Sequence, residues 1–104
     1  MTKLYVTEYA SIAIPQVGGL ATQVPMEPPL VEQTVVDYTA GVAASAAFNA
    51  KTTLVRIATD APCGVQFGTT PTATVNSGRM ATGQAEYRAV PKGQSFKVSA
   101  ITVT

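Results

Sequence analysis

The chain has 104 residues and a formal net charge of +1, and only 12% of its residues are charged, roughly half the usual share of about 25%. It contains no His and a single Cys, which excludes an intrachain disulfide, a Cys/His zinc site and a His-based catalytic triad. A near-neutral charge without clusters of Lys and Arg also argues against a nucleic-acid partner, because such proteins neutralise many phosphates.

Alternating apolar and polar residues predict a first strand over residues 3–8, with Leu4, Val6 and Glu8 on one face. The next strand signal is residues 31–39, which are rich in β-branched side chains. Both alternating sets in that segment contain valine, so the pattern predicts a strand without deciding which face is buried.

Residues 9–30 separate these two strands and have a different character. Residues 9–26 carry no charge. Pro25, Pro28 and Pro29 cannot serve in a central strand, because proline lacks the N–H that a ladder needs. We therefore expect an extended arm or loop region over residues 9–30.

Residues 40–50 are the one candidate helix in the sequence. They include six alanines, and alanine has the highest helix propensity. However, Gly41, Val42, Ser45 and Phe48 interrupt any amphipathic face. We predict a strand or irregular structure here, with a helix as the alternative.

The C-terminal half repeats the strand pattern. Alternation and β-branched content predict strands over residues 53–58, 64–68, 86–90 and 94–103. Residues 91–93, between the last two strands, have the composition of a tight turn. The last two strands are therefore predicted to form a hairpin.

Together these patterns predict a single all-β domain over residues 1–104. It would contain about seven or eight short antiparallel strands, arranged as a β-sandwich or a jelly-roll-like barrel. Two windows of 18 residues, 9–26 and 61–78, carry no charge. Connecting segments of an isolated soluble protein usually carry charge, so we interpret these windows as surface that is covered by packing or by a partner.

No group of residues in the sequence predicts catalysis. Glu27 and Glu32, or Glu32 and Asp37, are five residues apart, and this spacing puts two side chains on opposite faces of one strand. We therefore interpret the six acidic residues, Glu8 included, as solvated surface groups. Cys63 lacks the nearby cation that activates a thiol, which indicates a small buried hydrophobe. We predict no enzymatic activity, no cofactor and no bound metal.

The candidate interaction residues lie in the uncharged, proline-rich region instead. Met26 follows Pro25, where a stiff extended segment would present its apolar side chain to a partner. The first nine residues lack the basic start and apolar run of a signal peptide, and no apolar run is long enough to span a bilayer, so we expect synthesis in the cytoplasm and no membrane partner. The candidate interface residues are Tyr9, Ile12, Ile14, Pro25, Met26, Pro28, Pro29 and Leu30.

The C-terminal half also contains a series of short turn and strand segments within residues 53–101. They are Asp60-Ala61-Pro62-Cys63-Gly64-Val65-Gln66-Phe67-Gly68, Pro71-Thr72-Ala73, Arg79-Met80-Ala81, Glu86-Tyr87 and Val90-Pro91-Lys92-Gly93-Gln94. This series resembles small virion structural proteins of tailed bacteriophages and prophages, and it is most similar to head decoration (cement) proteins. The resemblance covers about half of the chain.

The resemblance implies a protein without catalytic activity that sits on the outer capsid of a virion. Proteins of that type are often β-sandwiches or jelly rolls, and they commonly act as dimers or trimers. They bridge neighbouring subunits of the major capsid protein, which would be the partner here. The implied location is the capsid surface, after synthesis in the host cytoplasm.

Two other functions compete with this interpretation. A head–tail connector or tail-tube protein usually has a long loop and a helix, so a helix over residues 40–50 would favour it. A small carbohydrate-binding or adhesion module would group exposed aromatic side chains with Asp, Asn or Gln on one face. The absence of Trp argues against such a module.

Overall fold

The computed structural model describes residues 2–13, 16–17, 20–21, 24–25 and 27–103. In this part of the chain all regular secondary structure is β, and every strand pairing is antiparallel. No described residue belongs to a helix long and apolar enough to cross a membrane. The strands in chain order are β1 (Lys3–Tyr9), β2 (Ile12–Ala13), β3 (Gln16–Val17), β4 (Leu20–Ala21), β5 (Val24–Pro25), β6 (Val31–Glu32), β7 (Val36–Asp37), β8 (Ala43–Ala44), β9 (Leu54–Thr59), β10 (Cys63–Gly68), β11 (Gly78–Met80), β12 (Ala85–Ala89) and β13 (Lys97–Thr102).

The first main sheet is built around β1. Its order is β12–β9–β1–β6, and β7 pairs with β1 on the same side as β6. Tyr5 lies opposite Ala58, which in turn lies opposite Ala85. Successive side chains on a strand point to opposite faces, and Leu4 and Val6 on β1 are buried as their alternation predicts.

The second main sheet contains four strands in the order β11–β10–β13–β8. Val65 lies opposite Ala100, and Ala100 lies opposite Ala43. The strands carry small and β-branched side chains toward the first sheet, where Cys63 and Val98 are fully buried. The interpretation of Cys63 as a small buried residue is therefore confirmed.

The two sheets enclose one continuous hydrophobic core, to which both contribute. The all-β prediction of a small sandwich is confirmed. Because residues 31–39 divide into two short strands, the main sheets contain nine strands instead of seven or eight. The core residues are Leu4, Val6, Val36, Tyr38, Phe48, Val55, Ile57, Cys63, Val65, Met80, Val90, Val98 and Ala100.

A loop over residues 69–77 covers the outer face of the second sheet. Within it Ala73 is buried, and its backbone N–H donates a hydrogen bond of 2.7 Å to the hydroxyl of buried Ser99. The loop also approaches β10 closely, since a Cβ placed on Gly64 would lie 2.9 Å from the carbonyl oxygen of Thr74. This loop belongs to the uncharged window 61–78, of which residues 63–65 and Ala73 are buried. Most of the loop is exposed, including Val75 at 63%, so the prediction of a covered window is met only in part.

The other uncharged window contains a hairpin. Strand β2 pairs with β5, with Ile12 opposite Pro25, and β3 pairs with β4, with Val17 opposite Leu20. The two pairs are nested in sequence, and we call residues 12–25 the 12–25 hairpin after these described pairings. None of its described residues is hydrogen-bonded in a ladder with either main sheet.

Two local predictions have different outcomes. Residues 40–50 contain the short strand β8 and otherwise irregular structure, which confirms strand or irregular structure over the helical alternative. The predicted hairpin between the last two strands is wrong. Strand β12 pairs with β9 in the first sheet, whereas β13 lies between β10 and β8 in the second. The turn over residues 91–93 therefore carries the chain from one sheet to the other.

We expect Gly64→Ala to destabilise the fold, because the added methyl group would meet the Thr74 carbonyl at 2.9 Å and the backbone must shift. Overpacking of this kind costs about 1–3 kcal/mol, measurable as a lower midpoint in urea unfolding. Gly78→Ala is the matched control on the neighbouring strand, where the nearest atom is 3.8 Å away. Equal effects of the two substitutions would contradict the packing of the 69–77 loop on this sheet.

Candidate functional site

A buried carboxylate lies at one end of the sandwich. Glu8, on the inner face of β1, is 1% exposed. One of its oxygens accepts hydrogen bonds from the Asn49 backbone N–H at 2.7 Å and the Thr52 hydroxyl at 2.6 Å. The other accepts a hydrogen bond from the Gln33 side-chain amide at 2.6 Å. The interpretation of Glu8 as a solvated surface group is therefore wrong.

Gln33 extends this network across the sandwich. Its amide nitrogen also donates to the carbonyl of Ala46 at 3.2 Å, and its amide oxygen accepts the Ala46 N–H at 3.1 Å. The adjoining Ser45 is bonded to Val98 of β13 through both its backbone N–H and its hydroxyl. The Gln33 side-chain amide thus bonds the edges of the two sheets to each other. In a continuous sheet, backbone groups would make these hydrogen bonds.

A groove of about 540 Å³ lies between the two edges that Gln33 connects. One wall is the edge of the first sheet along residues 31–37, and the other is residues 43–46 at the edge of the second sheet. No described strand pairs with the open side of either edge. The lining residues are Val31, Glu32, Gln33, Thr34, Val35, Val36, Asp37, Ala43, Ala44, Ser45 and Ala46.

The groove carries negative charge at both ends of its first wall. Glu32 and Asp37 are its only charged lining residues, and both are exposed. Hydrogen bonds from Thr39, and then the charge of Lys3 with its ammonium at 3.6 Å, hold the pKa of Asp37 below its usual value. Asp37 is therefore ionised at neutral pH.

A second buried polar cluster lies near the other end of β1. The Tyr38 ring is fully buried, and its hydroxyl lies 2.6 Å from the Thr59 hydroxyl and donates to the Ala61 carbonyl at 3.0 Å. Burial raises the pKa of Tyr38 above 10.0. This cluster fixes the start of the turn that carries the chain from the first sheet to the second.

The described residues contain no cluster of three His, Cys, Asp or Glu side chains that could hold a metal ion. Among them, every buried side-chain nitrogen and oxygen has a hydrogen-bond partner, and the thiol of Cys63 is fully buried. Features of this part of the chain that a partner could contact include the open groove, the hairpin and the exposed side chains of Tyr5 and Tyr87.

The predicted interface residues at the base of the hairpin lie in two environments. Tyr9 is 5% exposed, and its hydroxyl donates to the Glu27 carboxylate at 3.0 Å. Burial, followed by this hydrogen bond, raises the pKa of Tyr9. Pro28 is exposed and Pro29 half-buried, while Leu30 is 36% exposed and its N–H donates to the Glu8 carbonyl at 2.7 Å.

The remaining predicted interface residues belong to the hairpin itself. Ile12 and Pro25 lie opposite each other where β2 pairs with β5. Ile14 and Met26 lie outside the described residues. The structure thus places Ile12 and Pro25 on one ribbon, and the use of these residues as an interface stays a prediction.

Sequence reasoning missed the groove. Residues 31–39 gave an ambiguous alternation because the chain breaks its pairing between β6 and β7. That ambiguity was the available signal, since a segment with no consistent buried face is typical of an edge. The opposite wall of the groove has no local sequence signal. It is placed by the hydrogen bond from the Ala46 N–H to the Gln33 side chain, and these residues are 13 positions apart.

We expect Glu8→Gln to lower the free energy of unfolding by about 2 kcal/mol, because an amide group would face the Gln33 amide donor and lose a charged acceptor. Chemical denaturation measures this change. Glu32→Gln on the adjacent exposed edge is the control, for which we expect a change within about 0.5 kcal/mol. A Glu8→Gln protein as stable as the control would refute the role of this network.

We expect the stability of the protein to fall as pH rises above 10, partly through Tyr38. The unfolded tyrosine loses its proton near pH 10, whereas the buried residue retains it to higher pH. This contribution is therefore complete below pH 10 and is lost as pH rises through the folded-state pKa. Tyr38→Phe should be less stable at neutral pH yet lose less stability between pH 9 and 11. An unchanged alkaline slope in that variant would contradict the assignment.

Comparisons with known proteins leave the function to be argued from this geometry. No protein-family model matches the chain, and no curated protein or solved structure matches it either. The functional conclusion therefore draws on the groove, the hairpin and the sequence resemblance.

Proposed function

We propose that this protein is a capsid decoration (cement) protein of a tailed bacteriophage, which binds the outer capsid and stabilises contacts between major capsid protein subunits. The single observation that carries the proposal is the uncharged 12–25 hairpin. Its described strands pair with each other and form no ladder with either main sheet. Such a ribbon can be buried on a partner without moving a charge out of water.

The sandwich supports this role as a scaffold, because the core residues that the structure describes come from both main sheets and from the loops between them. The described strands of the hairpin pair with each other and with neither main sheet, which leaves them able to contact another protein. The segments that resemble phage proteins begin at the turn before β10 and extend to the loop before β13, so the resemblance concerns the scaffold.

The base of the hairpin is well positioned for such contacts. The chain leaves the sandwich after β1 and returns to it before β6. Both points are held by hydrogen bonds, from Tyr9 to Glu27 and from Leu30 to the Glu8 carbonyl. The hairpin therefore continues from a firmly held pair of strands, which lowers the entropy lost when it docks. A cement protein adds many such contacts across a capsid and needs no catalytic group.

The tail-tube alternative loses the feature that would have favoured it, because residues 40–50 form β8 and irregular structure. The carbohydrate-binding alternative keeps one supporting observation. Tyr5 and Tyr87 are 41% and 52% exposed on the outer face of the first sheet. The Tyr5 hydroxyl donates to Asp60 at 3.1 Å, which raises the pKa of Tyr5. Binding of an oligosaccharide array that is lost in Tyr87→Ala would favour this second function.

The test of capsid decoration is occupancy on heads assembled from the major capsid protein of the same genome. We expect the protein to bind these heads at a fixed ratio to the capsid protein. Val17→Asp together with Leu20→Asp places two charges at the hairpin tip, and this variant should bind at least tenfold more weakly. Val75→Ser, at an exposed position on the loop over the second sheet, is the control and should bind normally. Absence of binding by the unmodified protein would refute the proposal.

A further inference from the structure

We propose that the outer face of the first sheet is a carbohydrate-binding site, and that its ligand is an oligosaccharide bearing a carboxylate, such as one that contains a uronic or a sialic acid. The site consists of the exposed rings of Tyr5 and Tyr87, with Arg56 on the strand between theirs. This inference gives the carbohydrate-binding alternative a site and a ligand class, and it does not depend on capsid binding.

The strand register brings these three side chains to one face. Tyr87 on β12 lies opposite Arg56 on β9, and Arg56 lies opposite Thr7 on β1. Two positions along β1, Tyr5 lies opposite Ala58. The residues that alternate with them on β1 and β9 are buried in the core. These side chains therefore project from the outer face of the sheet.

The two tyrosines border a low area of this face. Two strand spacings of about 4.8 Å and an offset of two residues, about 6.7 Å, separate the Cα atoms of Tyr5 and Tyr87 by about 12 Å. Ala58 and Ala85 lie opposite each other between them, and each side chain is a single methyl group. A tyrosine ring has an apolar face with a polar hydroxyl at one end, and a sugar ring has an apolar C–H face bordered by hydroxyl groups. The shallow trough between the tyrosines thus suits a sugar chain.

Arg56 supplies the charge that selects an acidic ligand. Its side chain is half-buried on the middle strand of the trough. Lys3 and Arg88 each form an ion pair, whereas Arg56 forms none with a carboxylate in the described part of the chain. Its planar guanidinium group therefore keeps donors for a bidentate contact with a carboxylate of a ligand.

Acidic side chains at the margins of the face restrict the ligand further. Exposed Asp60 accepts a hydrogen bond from the Tyr5 hydroxyl at 3.1 Å, and exposed Glu32 lies opposite Thr7. A nucleic acid would meet a single cation between two carboxylates, although sites for single strands line the backbone path with several cations. Sugar hydroxyls can instead donate to Asp60 and Glu32 while one ligand carboxylate contacts Arg56. Charge complementarity thus favours an oligosaccharide with widely spaced carboxylates.

A peptide ligand does not suit this face. Extended peptides bind by adding to an open sheet edge or by lying in a groove. Strands β1 and β9 in the middle of the first sheet are paired on both sides, so their backbone groups are already bonded. Recognition at the centre of the face therefore depends on side chains, as it does when a sugar ring stacks on an aromatic ring.

A glycan array tests the inference with the full chain. The array would carry oligosaccharides that contain uronic or sialic acid, each beside its neutral methyl ester, together with a single-stranded oligonucleotide. We expect binding of at least one carboxylated oligosaccharide and at least tenfold weaker binding of its ester. The proposal is overturned by an array on which no carboxylated oligosaccharide binds, by equal binding of the ester, or by preferential binding of the oligonucleotide.

Two substitutions test the location of the site on the first sheet. Arg56→Gln and Tyr87→Ala should each weaken binding of the selected oligosaccharide at least tenfold in a calorimetric titration. Arg79→Gln replaces an exposed arginine on β11 of the second sheet, and this matched control should bind as the unmodified protein does. Far-UV circular dichroism would show that each variant retains the sandwich. Unchanged binding by Arg56→Gln, or equal weakening by Arg79→Gln, would refute the site.

Capsid occupancy of the unmodified protein keeps the two proposals distinguishable. A protein that binds the carboxylated oligosaccharide but no capsid would refute capsid decoration and support this site. A protein that binds capsids but no carboxylated oligosaccharide would support decoration and refute this site.

Discussion

The hydrogen bonds of buried Glu8 are the constraint on which this end of the molecule depends. A carboxylate with both oxygens buried requires donors for each of them, and its donors come from Gln33, Asn49 and Thr52. These residues belong to the edge of the first sheet and to the long connection between the sheets. The hydrogen bonds to the Glu8 carboxylate therefore fix the position of both segments relative to β1.

The same network explains why the sandwich has an open side. Gln33 uses its side chain to bond Ala46, so the two sheet edges are joined at one point without a strand between them. The groove is the space left by this arrangement. The hairpin also has open edges, because its described strands pair with each other and with neither main sheet. An open sheet edge presents unpaired backbone groups to which another extended chain can bond.

The sequence predicts the parts of this fold that rest on local alternation. Leu4 and Val6 mark β1, and the small residues of the C-terminal half mark the second sheet. The sequence does not predict Glu8, because alternation places it inside while its charge suggests the surface. Its partners lie 25 to 44 positions away, and nothing local indicates them. The sequence also does not predict that the last two strands lie in different sheets, because a turn signal does not indicate whether the chain stays in its sheet.

The loop over residues 69–77 has a consequence for how the protein can be oriented. It covers the outer face of the second sheet, where Gly64 leaves room for the Thr74 carbonyl. On the first sheet, Tyr5 and Tyr87 are exposed, and no described segment covers them. One face of the sandwich is therefore covered by a loop, and the other exposes aromatic side chains. A partner that contacts the second sheet would meet a loop, whereas a partner on the first sheet would meet exposed tyrosine side chains, so the two faces of the sandwich cannot substitute for one another.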